Sequence, residues 1–395
     1  MKKEYLFTII AGCGMAGASV GMIGNTSGLF FSPVAESLNV GRGSTAMMLT
    51  VANFAMAIGG IFLNSIMHEN TLKRVIWLAS ILAVGSTFLL ASANSLMVLY
   101  VLSALRGLGG GMAGLVMVTV LINNWFAKNR GLYTSVALAF SGLAGVILSP
   151  VLSSIIANAG WRTGYIVLSI LMLAFYAPAM FFPLAIRPRS KGMVPYGAQE
   201  TTQATMTLPE EETPNVTKMT VVLVFVFAIL SSFIAAFPSH LPGVGEAAGI
   251  GAAMLSASMA ANVASKLLLG IMADKVGFKK SAVIFEAVVL FAVFGLMTFS
   301  ASIIMLGSSF MMGFCFAIGA VGTAIVTREI FGLKKYGKIY PMVSFAGTAA
   351  NAVGASIYGF MYDASGNYAS CKLLTLTMAA TLILTTILVY RQKTA

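Results

Sequence analysis

Twelve stretches of mostly apolar residues run along this chain, at approximately 5–30, 43–67, 75–93, 96–123, 132–158, 163–186, 218–239, 248–272, 280–300, 302–326, 338–362 and 368–390. A helix that crosses a bilayer needs about 20 such residues. The apolar runs are continuous rather than alternating, which excludes a membrane β-barrel. The pattern predicts an all-α integral membrane protein of twelve transmembrane helices. The first stretch follows Met1-Lys2-Lys3 like a signal peptide. Its apolar run is longer than a signal core, and it continues through Asn25-Thr26-Ser27-Gly28 with no cleavage pattern, so it reads as a first span.

Composition agrees. Of the 395 residues, 58% are hydrophobic and 9% charged, whereas soluble domains carry about 25% charged residues. The net charge of +12 does not indicate nucleic-acid binding, because the basic residues are distributed with the loops. Nineteen lie at loops of one side, and only Arg42, Arg162 and Lys372 lie at the other. Positive charge collects on the cytoplasmic side of membranes. The chain is therefore expected in the cell membrane, multi-pass, with both termini cytoplasmic. Three cysteines, all at apolar positions, read as free thiols. Two histidines, both near span ends, give no metal-ligand cluster, and no cofactor is implied. With no nucleophile–base or metal constellation, an enzyme is not expected.

One long polar segment, residues 187–217, interrupts the spans; it contains Pro195, Pro209, Pro214 and the acidic run Glu210-Glu211-Glu212. It reads as a flexible cytoplasmic linker and divides the chain into a bundle at 1–186 and a bundle at 218–395. The halves repeat weakly at an offset near 206: Thr71-Leu72-Lys73-Arg74 falls on Gly277-Phe278-Lys279-Lys280. Parallel six-span repeats build one class of secondary transporter, with the substrate held near the midplane. Glycines at helical spacing in the first span (Gly17, Gly21, Gly24 and Gly28) and a cluster in the fourth (Gly107, Gly109, Gly110, Gly111 and Gly114) serve close helix approach.

The loop after the eighth stretch reads Gly270-Ile-Met-Ala-Asp274-Lys275-Val-Gly277-Phe-Lys279-Lys280. It resembles the loop motif of the major facilitator superfamily. The resemblance covers the whole chain and implies two six-helix bundles. An acid at a helix C-terminus opposes the dipole and calls for a nearby cation or a facing helix N-terminus. Asp274, Lys275, Gly277 and Lys279 are thus expected to form a conformational lock. The matching first-half loop keeps Lys73 and Arg74 but lacks the glycine and the aspartate. Trp125-Phe126 with Arg130-Gly131, the triplet Gly160-Trp161-Arg162 and the linker's Pro195-Tyr196-Gly197 are similar to the branch holding monocarboxylate transporters and oxalate/formate antiporters. Ser149-Pro150 stands where drug/proton antiporters usually carry Gly-Pro.

Two cations lie inside the apolar stretches, Arg106 and Lys266. A charge at the bilayer centre costs roughly 2.5–3.5 kcal/mol on insertion scales, so each needs a partner or a task. Arg106 opens Arg-Gly-Leu-Gly-Gly-Gly, similar to the superfamily's fourth-span signature. It could grip a carboxylate with two hydrogen bonds or bond carbonyls of the first span. Lys266 could bind an anion or extend its ammonium to the surface. By the branch resemblance, Asn262 and Lys266 stand where monocarboxylate transporters carry Asp and Arg. Residues four apart share a helix face, so Asn262 could bond the same ligand. Asn262 cannot carry a proton, and Glu286 and Glu329 read as lying near inner span ends, which favours anion exchange or facilitated movement over proton symport. Asn25, Thr26 and Asn351 are further candidates for lining a cavity, or for bonding between helices.

The expectation is a monomeric secondary transporter that moves a small carboxylate anion across the lipid bilayer by alternating access. Competing expectations are a transporter of sugars, amino acids or drugs on the same scaffold, and a membrane sensor. The short linker disfavours the sensor, because an output domain needs about 50 residues or more.

Overall fold

The computed structural model describes residues 2–128, 130–198 and 217–393, the side chains of Asn64, Arg130, Leu333, Lys334 and Lys393 excepted. Glu210-Glu211-Glu212, Pro209 and Pro214 therefore lie outside the described residues, as does the side chain of Arg130. The described residues are helical throughout, with no β-strand; Phe126 and Tyr196 form an isolated parallel bridge.

Ten stretches are long and apolar enough to cross a membrane. One of them, Leu132–Phe181, is two helices broken at Gly160, and the helix over 333–365, separated from its predecessor at Gly332, completes twelve. In chain order, spans one to four are Lys3–Asn25, Arg42–Ile66, Leu72–Leu90 and Leu96–Trp125. Spans five and six are 130–159 and 161–181. Spans seven to ten are Lys218–Val244, Gly251–Val276, Phe278–Thr298 and Ser302–Gly332; eleven is 333–365 and twelve is Ala369–Lys393.

The Gly-Trp-Arg triplet is the turn between spans five and six. Gly160 has φ +81°, a conformation that side chains resist. Trp161 is buried edge-on against Tyr165, and Arg162 donates to Asn94 Oδ1 at 2.6 Å and to the Ala93 carbonyl. The motif thus ties this turn to the one between spans three and four.

The chain divides into two compact units, Met1–Val40 with Met47–Thr205 and Gly41–Ala46 with Met206–Ala395, taken over their described residues. In the first, span three packs on four and six, and span one packs on five and six. In the second, span seven packs on eleven and twelve, and span nine packs on eight, ten and twelve. Gly41–Ala46 belongs with the second unit. There the Arg42 and Gly43 N–H groups donate to Asp363 at 2.7 Å, and Arg42 Nη2 pairs with Glu246 at 2.7 Å. Asp363 caps the start of span two, satisfying donors that a helix leaves open.

The start of the linker is docked on the first unit. The Tyr196 N–H donates to Trp125 O, and its carbonyl accepts from Ala127 and Lys128. Tyr5 donates to Val194 O at 2.7 Å, and Tyr5, Phe126, Tyr133 and Tyr196 pack ring against ring. The Pro-Tyr-Gly element is an anchor, so the linker is structured over its first part.

Glu69 holds the same segment, accepting from the Ile186 and Arg187 N–H groups and from Ser190 Oγ at 2.6–2.9 Å. Partial burial raises its carboxyl, but these hydrogen bonds and the Arg187 charge outweigh it, and the group lies below the ordinary carboxylate value. A depressed value means that the docking is fully present above the unfolded carboxylate's pKa and is lost as pH falls through the folded one. The protection of the Ile186 and Arg187 amides, taken as exchange relative to an unstructured chain at the same pH, should therefore be high at neutral pH and fall in acid. Glu69→Gln should remove that pH dependence; protection that is equally high in acid would refute the assignment.

Candidate functional site

Each intramembrane cation lies beside a span whose helix is distorted. Gly17–Asn25 of span one and Ile318–Gly322 of span ten wind as π-helix. Such turns shift hydrogen bonds from i−4 to i−5 and recur at functional sites.

In the first unit, Arg106 is ten residues into Leu96–Met112, the first segment of span four, and only 3% exposed. Its Nη2 donates to Met22 O at 2.6 Å, within the π segment, and the same carbonyl accepts from Thr26 Oγ1 at 2.9 Å. The guanidinium carbon lies 5.9 Å from the Tyr165 ring centroid. The Arg106 Nε and Tyr176 hydroxyl are buried without a partner. A buried donor without an acceptor costs about 1–3 kcal/mol, a cost that a ligand oxygen at Nε would remove. Arg106 is thus anchored to span one at one nitrogen and unmatched at another.

In the second unit, Asn262 and Lys266 share one face of span eight, near the middle of Gly251–Val276. Asn262 is 2% exposed; its Nδ2 makes only a 3.7 Å contact to Met259 Sδ, and its Oδ1 has no partner. Lys266 is half-buried, and among the described residues no hydrogen bond or ion pair holds its ammonium. Its electrostatic neighbour is Cys315, where span ten is broken just before its π segment. The second unit therefore presents a lysine and an amide, both lacking strong partners, at mid-span.

The remaining candidates are separated from these clusters. Asn25 donates to Ser141 O at 2.8 Å, linking spans one and five. Asn351 donates to Ser232 O at 3.0 Å, linking spans eleven and seven. Thr26 is fully buried and bonded back to its own helix. The structure gives these three side chains internal partners.

At the turn between spans eight and nine, Gly277 has φ +84°. Asp274, Lys275 and Lys279 are exposed there, and among the described residues Asp274 has no hydrogen-bond or ion-pair partner. The equivalent first-unit turn is engaged. Glu69 holds the linker, and Lys73 Nζ donates to the Ala179, Met180 and Phe182 carbonyls at the end of span six. The acid of the first repeat is present after all, one position beyond where the offset places it.

Several polar groups escaped the reading of the sequence. Tyr165 and Tyr176 gave no signal, because an aromatic in an apolar run is ordinarily packing. Glu286 was expected near an inner span end, but span nine begins at Phe278, so it sits eight residues from one end and twelve from the other, close to mid-span.

Residues 13–261 match the family model described as Major Facilitator Superfamily. An uncharacterized MFS-type transporter of Escherichia coli (strain K12), YhjX, is 25% identical over 338 residues, covering 80% of this chain and 79% of that protein. A probable sulfoacetate transporter of Cupriavidus necator, SauU, is 32% identical over 111 residues, 28% of this chain and 26% of that protein. An uncharacterized MFS-type transporter of Bacillus subtilis (strain 168), YcxA, is 22% identical over 190 residues, 47% and 45% of the two chains. The chain thus spans less than half the length of two of these relatives and about four fifths of the third. Among solved structures, the inward open xylose transporter XylE from E. coli superposes with TM-score 0.72 at 18% identity, covering 98% and 94% of the chains. A peptide transporter in complex with alafosfalin superposes with TM-score 0.70 at 13% identity, covering 99% and 96%. At these identities the likeness is one of fold.

Proposed function

This chain belongs to the Major Facilitator Superfamily, and we propose that it is a secondary transporter whose alternating access serves a small carboxylate anion of the monocarboxylate or oxalate/formate kind. One observation carries the substrate class: Lys266 sits at mid-span with no described counter-ion, one helical turn from a buried Asn262 whose amide is barely used. A carboxylate supplies what both groups lack. It neutralises the ammonium and accepts from the amide, and charge-assisted bonds are the stronger kind.

Arg106 is the first unit's own candidate for an anion in this reading, through its unmatched Nε, while its Nη2 holds span one at the π segment. Asn25, Asn351 and Thr26 keep helices in register in this structure and would meet the ligand only if those bonds exchange. Asp274 with Lys275, Gly277 and Lys279 serves as a conformational lock in this reading, supported by the exposed acid and bases at this turn. Positive charge at the loops supports cytoplasmic termini in a cell-membrane protein. The name of the sulfoacetate relative supports an anionic substrate, since sulfoacetate carries a carboxylate.

The two cations by themselves support exchange or facilitated movement. Left unfilled, each leaves a charge short of partners within its own unit, and a bound anion removes that penalty. Purified protein in liposomes loaded with unlabelled oxalate should take up labelled oxalate and be inhibited by formate, pyruvate or lactate. Uptake of xylose or of cationic solutes, with no carboxylate exchange, would assign the chain to another solute class.

A further inference from the structure

Among the described residues, Glu286 is the most enclosed acid of the second unit, and it has no part in the anion site. It is 0% exposed, its Oε1 accepts from Thr386 Oγ1 at 2.6 Å, and its Oε2 has no partner. A carboxylate here would be a lone buried charge, the costliest state for such a group, and a proton on it removes that cost.

Spans eight, ten and twelve pack against span nine. Span twelve presents Thr386, bonded to Glu286, and carries Tyr390 one turn on; span eight carries Lys266, and span ten carries Cys315, Arg328 and Glu329. Lys372, at the far end of span twelve, is bonded to Leu296 O. Asp274, Lys275, Lys279 and Lys280 are exposed at the turn between spans eight and nine. Among the described residues, the Thr386 hydroxyl is the hydrogen-bond partner of Glu286.

From Glu286 a line of polar groups leads out of the bundle. Thr386 and Tyr390 are four residues apart on one face of span twelve. The Tyr390 hydroxyl donates to Glu329 Oε2 at 2.7 Å. Glu329 is half-buried and neighbours the exposed Arg328 at the basic end of span ten. Carboxyl, hydroxyl, phenol and carboxyl thus run from mid-span to the loop side, with one helical turn between the two hydroxyls.

We propose that Glu286 is a proton-binding site of the transport cycle, reached from the loop side through Glu329, Tyr390 and Thr386. A proton arriving at Glu329 passes by way of the Tyr390 and Thr386 hydroxyls to the Glu286 carboxylate. Each hydroxyl takes one proton and gives one, a water or a side-chain rotation spanning the gap between them. The protonated acid suits dry contact between spans nine and twelve, and the charged form favours a wetter one. Two packings that differ by one proton give the anion carrier a coupling ion for net flux, beyond simple exchange. The inference rests on the transporter reading above, and its first test is independent of it.

That test is an infrared titration of the purified full-length protein. The wild type should show a protonated-carboxyl band that disappears on alkalinisation, is absent from Glu286→Gln and is shifted in frequency by Thr386→Val. The shift assigns the band even where the glutamine variant folds poorly. A carboxyl band at Glu286 that never titrates, or none at all, overturns the proposal. In liposomes carrying a pH gradient, with the membrane potential clamped at zero, one proton per anion supports about tenfold accumulation of labelled oxalate per pH unit. Glu286→Gln should lose that accumulation and keep oxalate exchange, and Tyr390→Phe should slow proton entry. Accumulation unchanged in Glu286→Gln also overturns it. If no variant carries oxalate, the substrate reading fails and the infrared titration alone decides the proton site.

Discussion

Replacing Lys266 with glutamine should abolish carboxylate transport while leaving the protein folded. Losing one charged partner of a buried, hydrogen-bonded contact typically costs 2–5 kcal/mol, about thirtyfold to a few thousandfold in affinity. Fold stability should hold or improve, because glutamine removes an uncompensated charge that costs roughly 2.5–3.5 kcal/mol at the bilayer centre. Uptake of labelled oxalate or pyruvate, measured beside thermal denaturation of the same preparation, separates the two effects. Lys266→Arg keeps the charge and should recover part of the uptake. A glutamine variant that transports normally would mean that the lysine only extends to the surface, and the argument from charge would fail.

The spans were legible because the bilayer core demands about twenty apolar residues at each crossing. The twelve stretches read from hydropathy each find a helix within a few residues. What hydropathy could not reveal was departure from ideal helix. Gly17, Gly21 and Gly24 recur as on an α-helix, yet Gly17–Asn25 winds as π-helix. A side-chain pattern does not report which carbonyl a backbone N–H meets. For the same reason Arg106 was visible as a charge, while its acceptor, the Met22 carbonyl, was visible only as one of several first-span carbonyls.

The repeat offset misled in one place. It set His68 opposite Asp274, so the first half seemed to lack its acid, whereas Glu69, one residue on, takes hold of the linker. Glu286 was misjudged in depth, because a helix start at Phe278, fixed by the Gly277 turn, moves the glutamate toward mid-span.

The largest structural effect is expected at the fourth-span glycines. A Cβ at Gly107 would collide with the Ala52 carbonyl, and one at Gly111 with that of Met56, both on span two. These obstacles are backbone atoms, which cannot move aside as a flexible side chain does. Overpacking costs typically 1–3 kcal/mol and more where nothing yields. Gly107→Val should therefore remove most of the folded protein in detergent, read as loss of the monodisperse peak and of the cooperative thermal transition. Gly24→Ala, with nothing within 4 Å of the added carbon, should behave as the wild type. A Gly107→Val protein that remains monodisperse and melts normally would show that spans two and four do not pack backbone to backbone.

Ligand binding tests the central claim, that the second unit's lysine and amide await a carboxylate, without requiring net transport. A ligand present at a hundred times its Kd stabilises the folded state by about 2.7 kcal/mol. Thermal denaturation of the intact protein and of Lys266→Gln, each with oxalate, formate, pyruvate, lactate and xylose, is the decisive comparison. The account predicts stabilisation of the intact protein by at least one carboxylate, little effect of xylose, and loss of the carboxylate effect in the variant. Equal carboxylate stabilisation of both proteins, or stabilisation by the neutral sugar alone, would contradict it.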